Sequence, residues 1–327
     1  GAGESDLQAR DIQFNNYTFL KKGEKTNNYR TLLWKTARGS HFALFPNLNV
    51  NDPVWRSLLR DVRFRRALSL AIDRAQVNQV LYFGLAAESN DTVVAESPLF
   101  RKEYQTRWTQ FDRKAADRLL DEMNLKRGPD GVRKLADGRP LEIIVETAGE
   151  STEQTDVLEM IRETWREVGI KLFAKPSQRE VLRNRVFSGE ALMSVWTGIE
   201  NGLAGADVSP DELAPTSQQQ LHWPKFGQHF ETGGKAGEAP DIAEVAELLK
   251  LNKAWRAAPT REERARIWHR MLGIHSEQLF SIGVVNGVAQ PVVVRNTLRN
   301  VPEKGIYNWD PGAFFGIYRP DTFWISK

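Results

Sequence analysis

The chain has 327 residues, 41% apolar and 27% charged, enough to bury cores in about two domains and far from a disordered or membrane composition. Lys and Arg number 45 against 42 Asp and Glu, a net charge of +3 that is too even to imply nucleic acid; no apolar run approaches the roughly 18 residues of a membrane span. Cysteine is absent, which excludes disulfides, thiolate metal sites and cysteine nucleophiles while leaving the compartment open.

Gly1-Ala2-Gly3-Glu4 carries neither an initiator Met nor a charged-then-apolar leader, which leaves a signal peptide upstream an open matter. Arg56, Arg60, Arg63, Arg65, Arg66 and Arg74 cluster where the pattern reads as a solvated face of an amphipathic helix. On that stretch Phe64, Ala67, Leu68, Ala71 and Ile72 recur at helical spacing, and Asp73 with Gln76 opens a second helix that Gly84 stops. Asp112 caps a third, carrying Ala115, Leu119, Leu120 and Met123, before turns at Pro129-Asp130-Gly131 and Asp137-Gly138.

Residues 141–147 read as a strand, Val157, Ile161, Trp165 and Val168 as one face of a helix closed by Gly169, and 170–175 as a second strand. Strand, helix, strand predicts a βαβ unit and an α/β fold. A helix-like stretch over 181–187 leads to a third strand over 191–196. From 198 to 240 glycines and prolines erase all periodicity, the mark of a functional or disordered loop. Asp241 then caps a helix with Val245, Leu248, Asn252 and Trp255, and the capping box Thr260-x-x-Glu263 opens another with Ile267, Met271 and Ile274, its antiparallel partner. Short strands follow over 280–285 and 291–294.

No nucleophile elbow, zinc-protease, P-loop or dinucleotide motif occurs, and the spacing of the five histidines suits structural roles, so no catalytic set, metal or cofactor is expected. Asp207, Asp211 and Glu212 sit among turn residues and give only weak support to a carboxylate-based hydrolase. Asn16-Tyr17-Thr18 and Asn90-Asp91-Thr92 match the glycosylation sequon. The ten tryptophans are more informative. Trp165, Trp255 and Trp268 lie on apolar helix faces as packing residues, whereas Trp196 and Trp223 border or occupy the Gly-rich segment near Thr197, Glu200, Asn201, Gln218 and His222. Aromatic faces among amides and carboxylates suit a cleft that grips a polar, partly planar solute such as a peptide or sugar.

The run Asp61-Val62-Arg63-Phe64-Arg65-Arg66-Ala67-Leu68-Ser69-Leu70-Ala71-Ile72-Asp73-Arg74 resembles the D-x-R-x-R-x-A-(x)3-A-I-D-R signature of the extracellular solute-binding proteins that serve peptide, nickel and related ABC importers. Gly3-Glu4-Ser5-Asp6, Phe45-Pro46-Asn47, Phe111-Asp112 through Leu119-Leu120, and Trp196-Thr197-Gly198 are similar to further motifs of that family. The resemblance implies an α/β fold of the periplasmic binding protein-like class. One complete lobe with a mixed sheet would span 46–279, flanked by remnants of a second lobe at 1–45 and 280–327, with the long N-terminal part of that second lobe missing.

It also implies a function: the substrate-binding component of an ABC importer, which captures an oligopeptide-class solute between lobes and delivers it to a membrane permease. Such a protein would be periplasmic or membrane-anchored outside the cytoplasm, a monomer without nucleic-acid partner, and not an enzyme. Trp196 would stack on the ligand, Glu200 and Asn201 would hydrogen-bond it, Trp223 would assist, and Phe45 and Asn47 would lie at the hinge. One departure bears on the solute. Where the peptide-binding branch places Arg-x-x-Trp-x-x-Asp to meet a peptide's carboxylate and ammonium, this chain has Met193, Trp196 and Ile199, with Glu200 one residue out of register. An oligosaccharide or opine becomes the alternative solute, with Gln218, Gln219, Gln220 and Trp223 suited to a sugar.

Overall fold

A computed structural model describes residues 4–326, so Gly3 of the Gly3-Glu4-Ser5-Asp6 motif and the outermost ends of the two expected flanking segments lie outside the described residues. The strands are β1 (Leu7–Gln8), β2 (Tyr29–Lys35), β3 (Phe42–Pro46), β4 (Ala87–Glu88), β5 (Glu142–Thr147), β6 (Lys171–Pro176), β7 (Met193–Trp196), β8 (Ile282–Asn286), β9 (Ala289–Arg295), β10 (Leu298–Arg299) and β11 (Trp324–Ile325). The helices are α1 (Tyr17–Gly23), α2 (Pro53–Arg60), α3 (Val62–Leu70), α4 (Arg74–Tyr82), α5 (Lys102–Thr106), α6 (Arg113–Glu122), α7 (Thr152–Glu167), α8 (Arg179–Ser188), α9 (Pro224–Glu231), α10 (Ala243–Ala257) and α11 (Arg261–Gln278). None of the described helices is long and apolar enough to cross a membrane.

The βαβ unit forms as its pattern requires: β5 and β6 pair in parallel, and α7 packs back on them, started by Ser151 and ended at Gly169 with φ of 83°. The larger sheet is mixed, in the order β4-β8-β3-β7-β5-β6, with β5 parallel to β6 and β7 and the other pairs antiparallel. Apolar faces of α2, α3, α4, α6 and α7 close its main core around Trp55, Phe64, Leu120, Ile161 and Trp165. A second core joins α9, α10 and α11 to Leu213, Trp223 and Phe280. A separate three-stranded antiparallel sheet, β1-β9-β2, carries a third core around Trp34, Val292 and Val294.

Strand membership moves the expected domain boundaries. β3 straddles the 45/46 boundary and β8 lies beyond 279, yet both belong to the six-stranded sheet. The chain passes between the two sheets at 36–41 and at 287–288, where Thr36 Oγ1 donates to the Val288 carbonyl at 2.8 Å and the His41 amide to the Val285 carbonyl at 2.7 Å.

Three further expectations need correction. The arginine cluster is not a solvated face. Arg65 and Arg74 are buried, with Arg65 donating to the Leu59 and Gln278 carbonyls at 2.6 and 2.7 Å, and Arg56 and Arg60 reach the Val50 and Leu48 carbonyls. Asp241 does not cap α10, whose N-cap is Ile242; it pairs instead with Arg60 at 2.8 Å. Asn90 of the second sequon is buried, which removes it as a glycosylation acceptor in the folded chain.

Candidate functional site

The site starts from the end of β7. After Trp196 the strand stops, and the chain bends sharply through Thr197, Gly198 and Ile199. Gly198 donates to the Ser40 carbonyl at 2.8 Å, and a Cβ there would lie 2.0 Å from Asp91 Oδ1, so only glycine allows this approach to the segment that crosses between sheets. The bend ends the strand alternation that put Glu200 one residue out of register. Trp196, Thr197, Ile199 and Glu200 instead all line one cavity of about 210 Å³, together with Phe45, Asp91, Glu212, Gln219, Gln220, His222, His275 and Ser281.

Of the residues expected in the site, Trp196, Glu200 and Phe45 are brought together here. Trp223 is not: it is 0% exposed, packs against Phe280 and His275 at ring separations of 5.1 and 5.7 Å, and donates its indole N–H to Gln220 Oε1 at 2.9 Å. It is a core residue and cannot stack on a solute from that position. Asn201 is also buried and engaged, its Oδ1 accepting from the Leu203 amide and its Nδ2 reaching Asp310 Oδ1 at 3.4 Å. Asn47 is held in the body of the larger sheet's lobe by bonds to the Val186 and Ala191 carbonyls, away from the crossing segments. Asp207 pairs with Arg261 and Arg264, and Asp211 with Arg256 and Asn252, and both are absent from the cavity wall; of the three carboxylates behind the hydrolase alternative only Glu212 lines it.

Sequence reasoning missed Asp91 and Ser281 as cavity residues; it named His222 among the polar neighbours of a cleft and Glu212 only as a hydrolase carboxylate, and both line the cavity. Asp91 accepts the Ile199 amide at 2.9 Å and the Ser281 hydroxyl at 2.7 Å, and burial pushes its carboxyl up. Glu212 accepts the Glu200 amide at 2.7 Å; burial, with help from the carboxyls of Asp91, Glu200 and Asp310, pushes it up to about 7. Burial likewise drives His222 well below the usual histidine range and His275 down to about 4, so both rings are neutral at pH 7. A second cavity of about 230 Å³ lies beyond Trp196, lined by Arg179, Leu182, Arg183, Gln219 and Leu221. The Arg179 guanidinium covers one face of the Trp196 ring at 5.0 Å.

A βαβ-containing lobe with a mixed sheet and a second sheet reached by two crossings match the two-lobed periplasmic binding protein-like class of fold. The profile of the bacterial extracellular solute-binding proteins, family 5 (middle region), matches residues 2–214, and the chain belongs to that family. A comparison with curated proteins finds no match. Among solved structures, the chain is similar to an oligopeptide-binding protein OppA at 28% identity and a TM-score of 0.75, over 100% of this chain and 54% of that one. It shares the fold of the periplasmic binding protein MelB of Agrobacterium fabrum C58 in complex with stachyose (18% identity, TM-score 0.78, 99% of this chain and 49% of that one). The same holds for the oligopeptide-binding protein AppA of Bacillus subtilis in complex with a nonapeptide (15%, 0.73, 100% and 57%). The chain thus spans about half the length of these structures.

Proposed function

We propose that the chain is part of the substrate-binding component of an ABC importer, taking an oligopeptide-class solute into the cavity beside Trp196 and passing it to a membrane permease. The supporting observation is the alignment of the whole chain with an oligopeptide-binding protein at 28% identity, together with a cavity at the bend after β7, whose Gly198 and Ile199 bond to Ser40 and Gly39 of the first crossing. The protein would work as a monomer outside the cytoplasm, in the periplasm or tethered to the membrane. Capture needs no bond to be made or broken: the solute is enclosed by hinge motion, for which the two crossings at 36–41 and 287–288 are the natural pivots, with Phe45 at the edge of the cavity and Asn47 on the stationary side. Trp196 offers the ring face that Arg179 leaves uncovered.

A saccharide is the second reading, favoured by Met193 and Ile199 at the positions where the peptide branch carries its charges. Calorimetric titration of the chain with peptide and oligosaccharide panels separates the two. Trp196→Ala is expected to weaken the bound class at least about tenfold, in line with the loss of one buried aromatic contact. An unchanged affinity would remove Trp196 from the site, and conversion of the solute to products would replace the receptor reading with an enzymatic one.

A further inference from the structure

The small sheet reaches the larger lobe through more than the two crossings. Between β1 and α1 the chain makes a 3-10 turn (Phe14–Asn16), and the stretch leading to it is tied to the small sheet, where Gln290 Nε2 of β9 donates to the Ala9 and Ile12 carbonyls at 3.0 and 2.7 Å. The next two residues face the other body. Gln13 Nε2 donates to Ser151 Oγ, the N-cap of α7, at 3.0 Å, and Gln13 Oε1 accepts the Thr152 hydroxyl at 3.4 Å. Phe14 is 3% exposed and lies in the main core of the larger lobe, its ring 6.3 Å from Tyr82 at the end of α4 and 5.9 Å from Phe83.

The first crossing is held at the same corner. Glu153, buried on the first turn of α7, accepts the Tyr82 hydroxyl, and His41 Nε2 lies 2.8 Å from Glu153 Oε1. Burial works to push the Glu153 carboxyl up, but His41, the Tyr82 bond and the charge of Arg38 outweigh it and hold the group below the usual carboxylate range. A buried carboxylate stripped of such partners is costly, so Glu153 fixes Tyr82 and His41 in place. That makes it a positioning residue for the seat on which Phe14 rests.

Two covalent crossings allow one body to turn against the other, whereas a side-chain contact outside them selects one angle. We propose that Gln13 and Phe14 form a releasable catch between the two bodies, seated on the α4 and α7 corner built around Glu153, and that the catch holds the arrangement that encloses the solute. The catch is a property of the fold, and its link to capture rests on the receptor reading. One buried ring and two neutral hydrogen bonds are few enough to part during release, yet enough to shift the balance of engaged and parted bodies about a hundredfold.

The absence of cysteine makes the test direct. Spin labels on Lys22→Cys of α1 and Arg166→Cys of α7, both exposed, report the separation of the bodies by pulsed electron resonance. The labelled chain is expected to show one distance, and the same chain carrying Gln13→Ala and Phe14→Ala a second, longer one as a major population. Val293→Ala, which weakens the small sheet's own packing without touching the catch, is expected to keep the single distance. An unchanged distance in the Gln13 and Phe14 variant, or an equal second population in Val293→Ala, overturns the catch. Calorimetry with trialanine, trilysine and maltotriose then tests the link to capture, with the binding probe expected to lose at least about tenfold in affinity when both catch residues are removed. Unchanged or tighter binding beside a parted distance overturns the assignment of the catch to the enclosing arrangement. Binding of none of the three probes by the unsubstituted chain overturns the receptor reading and the link to capture, while the spin-label distances still decide the catch.

Discussion

Arg74 closes the family signature, and the physical reason for it is visible in its contacts. Its Nε and Nη2 donate to the Gly283 carbonyl at 3.0 and 2.8 Å, and its Nη1 and Nη2 to the carbonyl and hydroxyl of Ser69 at 2.8 and 2.7 Å. The guanidinium thus pins the α3–α4 corner to β8 with no carboxylate in direct contact, and burial lowers it only to about 9, so it remains charged at neutral pH. Arg74→Met leaves those carbonyls unpaired and is expected to cost about 3–5 kcal/mol in urea unfolding. A loss under about 1 kcal/mol would mean that the corner repairs itself. Periodicity could not reveal this role, because a charged residue in a helical repeat is read as solvent-facing unless its partners, here more than 200 residues away for Gly283, are known. His275 supplies a second residue-scale expectation. Its folded value near 4 lies below the unfolded 6.5, so the unfolded chain binds the extra proton between those values and stability is lost as pH falls through that window. His275→Gln should therefore be less stable than the wild type at pH 7, and that gap should shrink by about 3 kcal/mol by pH 4, read from paired urea titrations.

The segment 198–240 shows what element-scale reading captures and misses. Gly227 reads as a breaker, yet it lies inside α9, where a Cβ would sit 2.0 Å from the Ser217 carbonyl oxygen; it is a close-packing glycine. Between residues 211 and 223 one side chain makes many of the ordering bonds. Gln220 Oε1 accepts from the Thr216 and Ser217 amides and the Trp223 indole, and its Nε2 donates to the Asp211, Glu212 and Ala214 carbonyls. A single glutamine bridging residues 211 to 223 leaves no periodic trace, which explains why helices and strands elsewhere were legible from their apolar spacing while this wall of the cavity was not. Trp196 was found because it ends a patterned strand and opens a motif; Glu212 was indistinguishable from Asp207 and Asp211, because only the folded turn brings it beside Glu200. Gln220→Ala is expected to destabilise the chain by about 2–4 kcal/mol, since several buried polar groups lose partners at once. It should also weaken solute binding by displacing Glu212. Gln220→Glu separates the parts, keeping the acceptor side and losing the three donations; if both variants bind and unfold like the wild type, the segment is held by its apolar contacts alone.

At the scale of the molecule, two chain crossings among the described residues join the two sheets, with further contacts from Phe14 to the main core and from Asn308 to Glu200, and their cores differ in size. The six-stranded sheet is sealed by five helices, whereas β1-β9-β2 relies on the cluster of Trp34, Val292, Val294, Leu298 and Tyr307 and a smaller one under α1. Apolar burial scales with the area removed from water, so the smaller body has the smaller reserve against opening. Cooperative units of this kind open separately when few contacts bind them. The first crossing bonds to the second through Thr36 and Val288 and to β8 through His41 and Val285; Ala37 and Val288 are buried there, so opening of the small sheet must stop at these residues to leave β3 undisturbed. Native-state amide exchange in low urea should therefore show Val292, Val293 and Val294 exchanging through a sub-global opening while Leu44 in β3 and Val195 in β7 stay protected up to the global transition. Binding of a solute beside Trp196, where the bend after β7 bonds to the first crossing, should slow exchange in both sheets together, since closure couples the two bodies. If the two sets of amides share one opening free energy in the absence of solute, the sheets form a single cooperative unit, and hinge motion at residues 36–41 and 287–288 loses its structural basis.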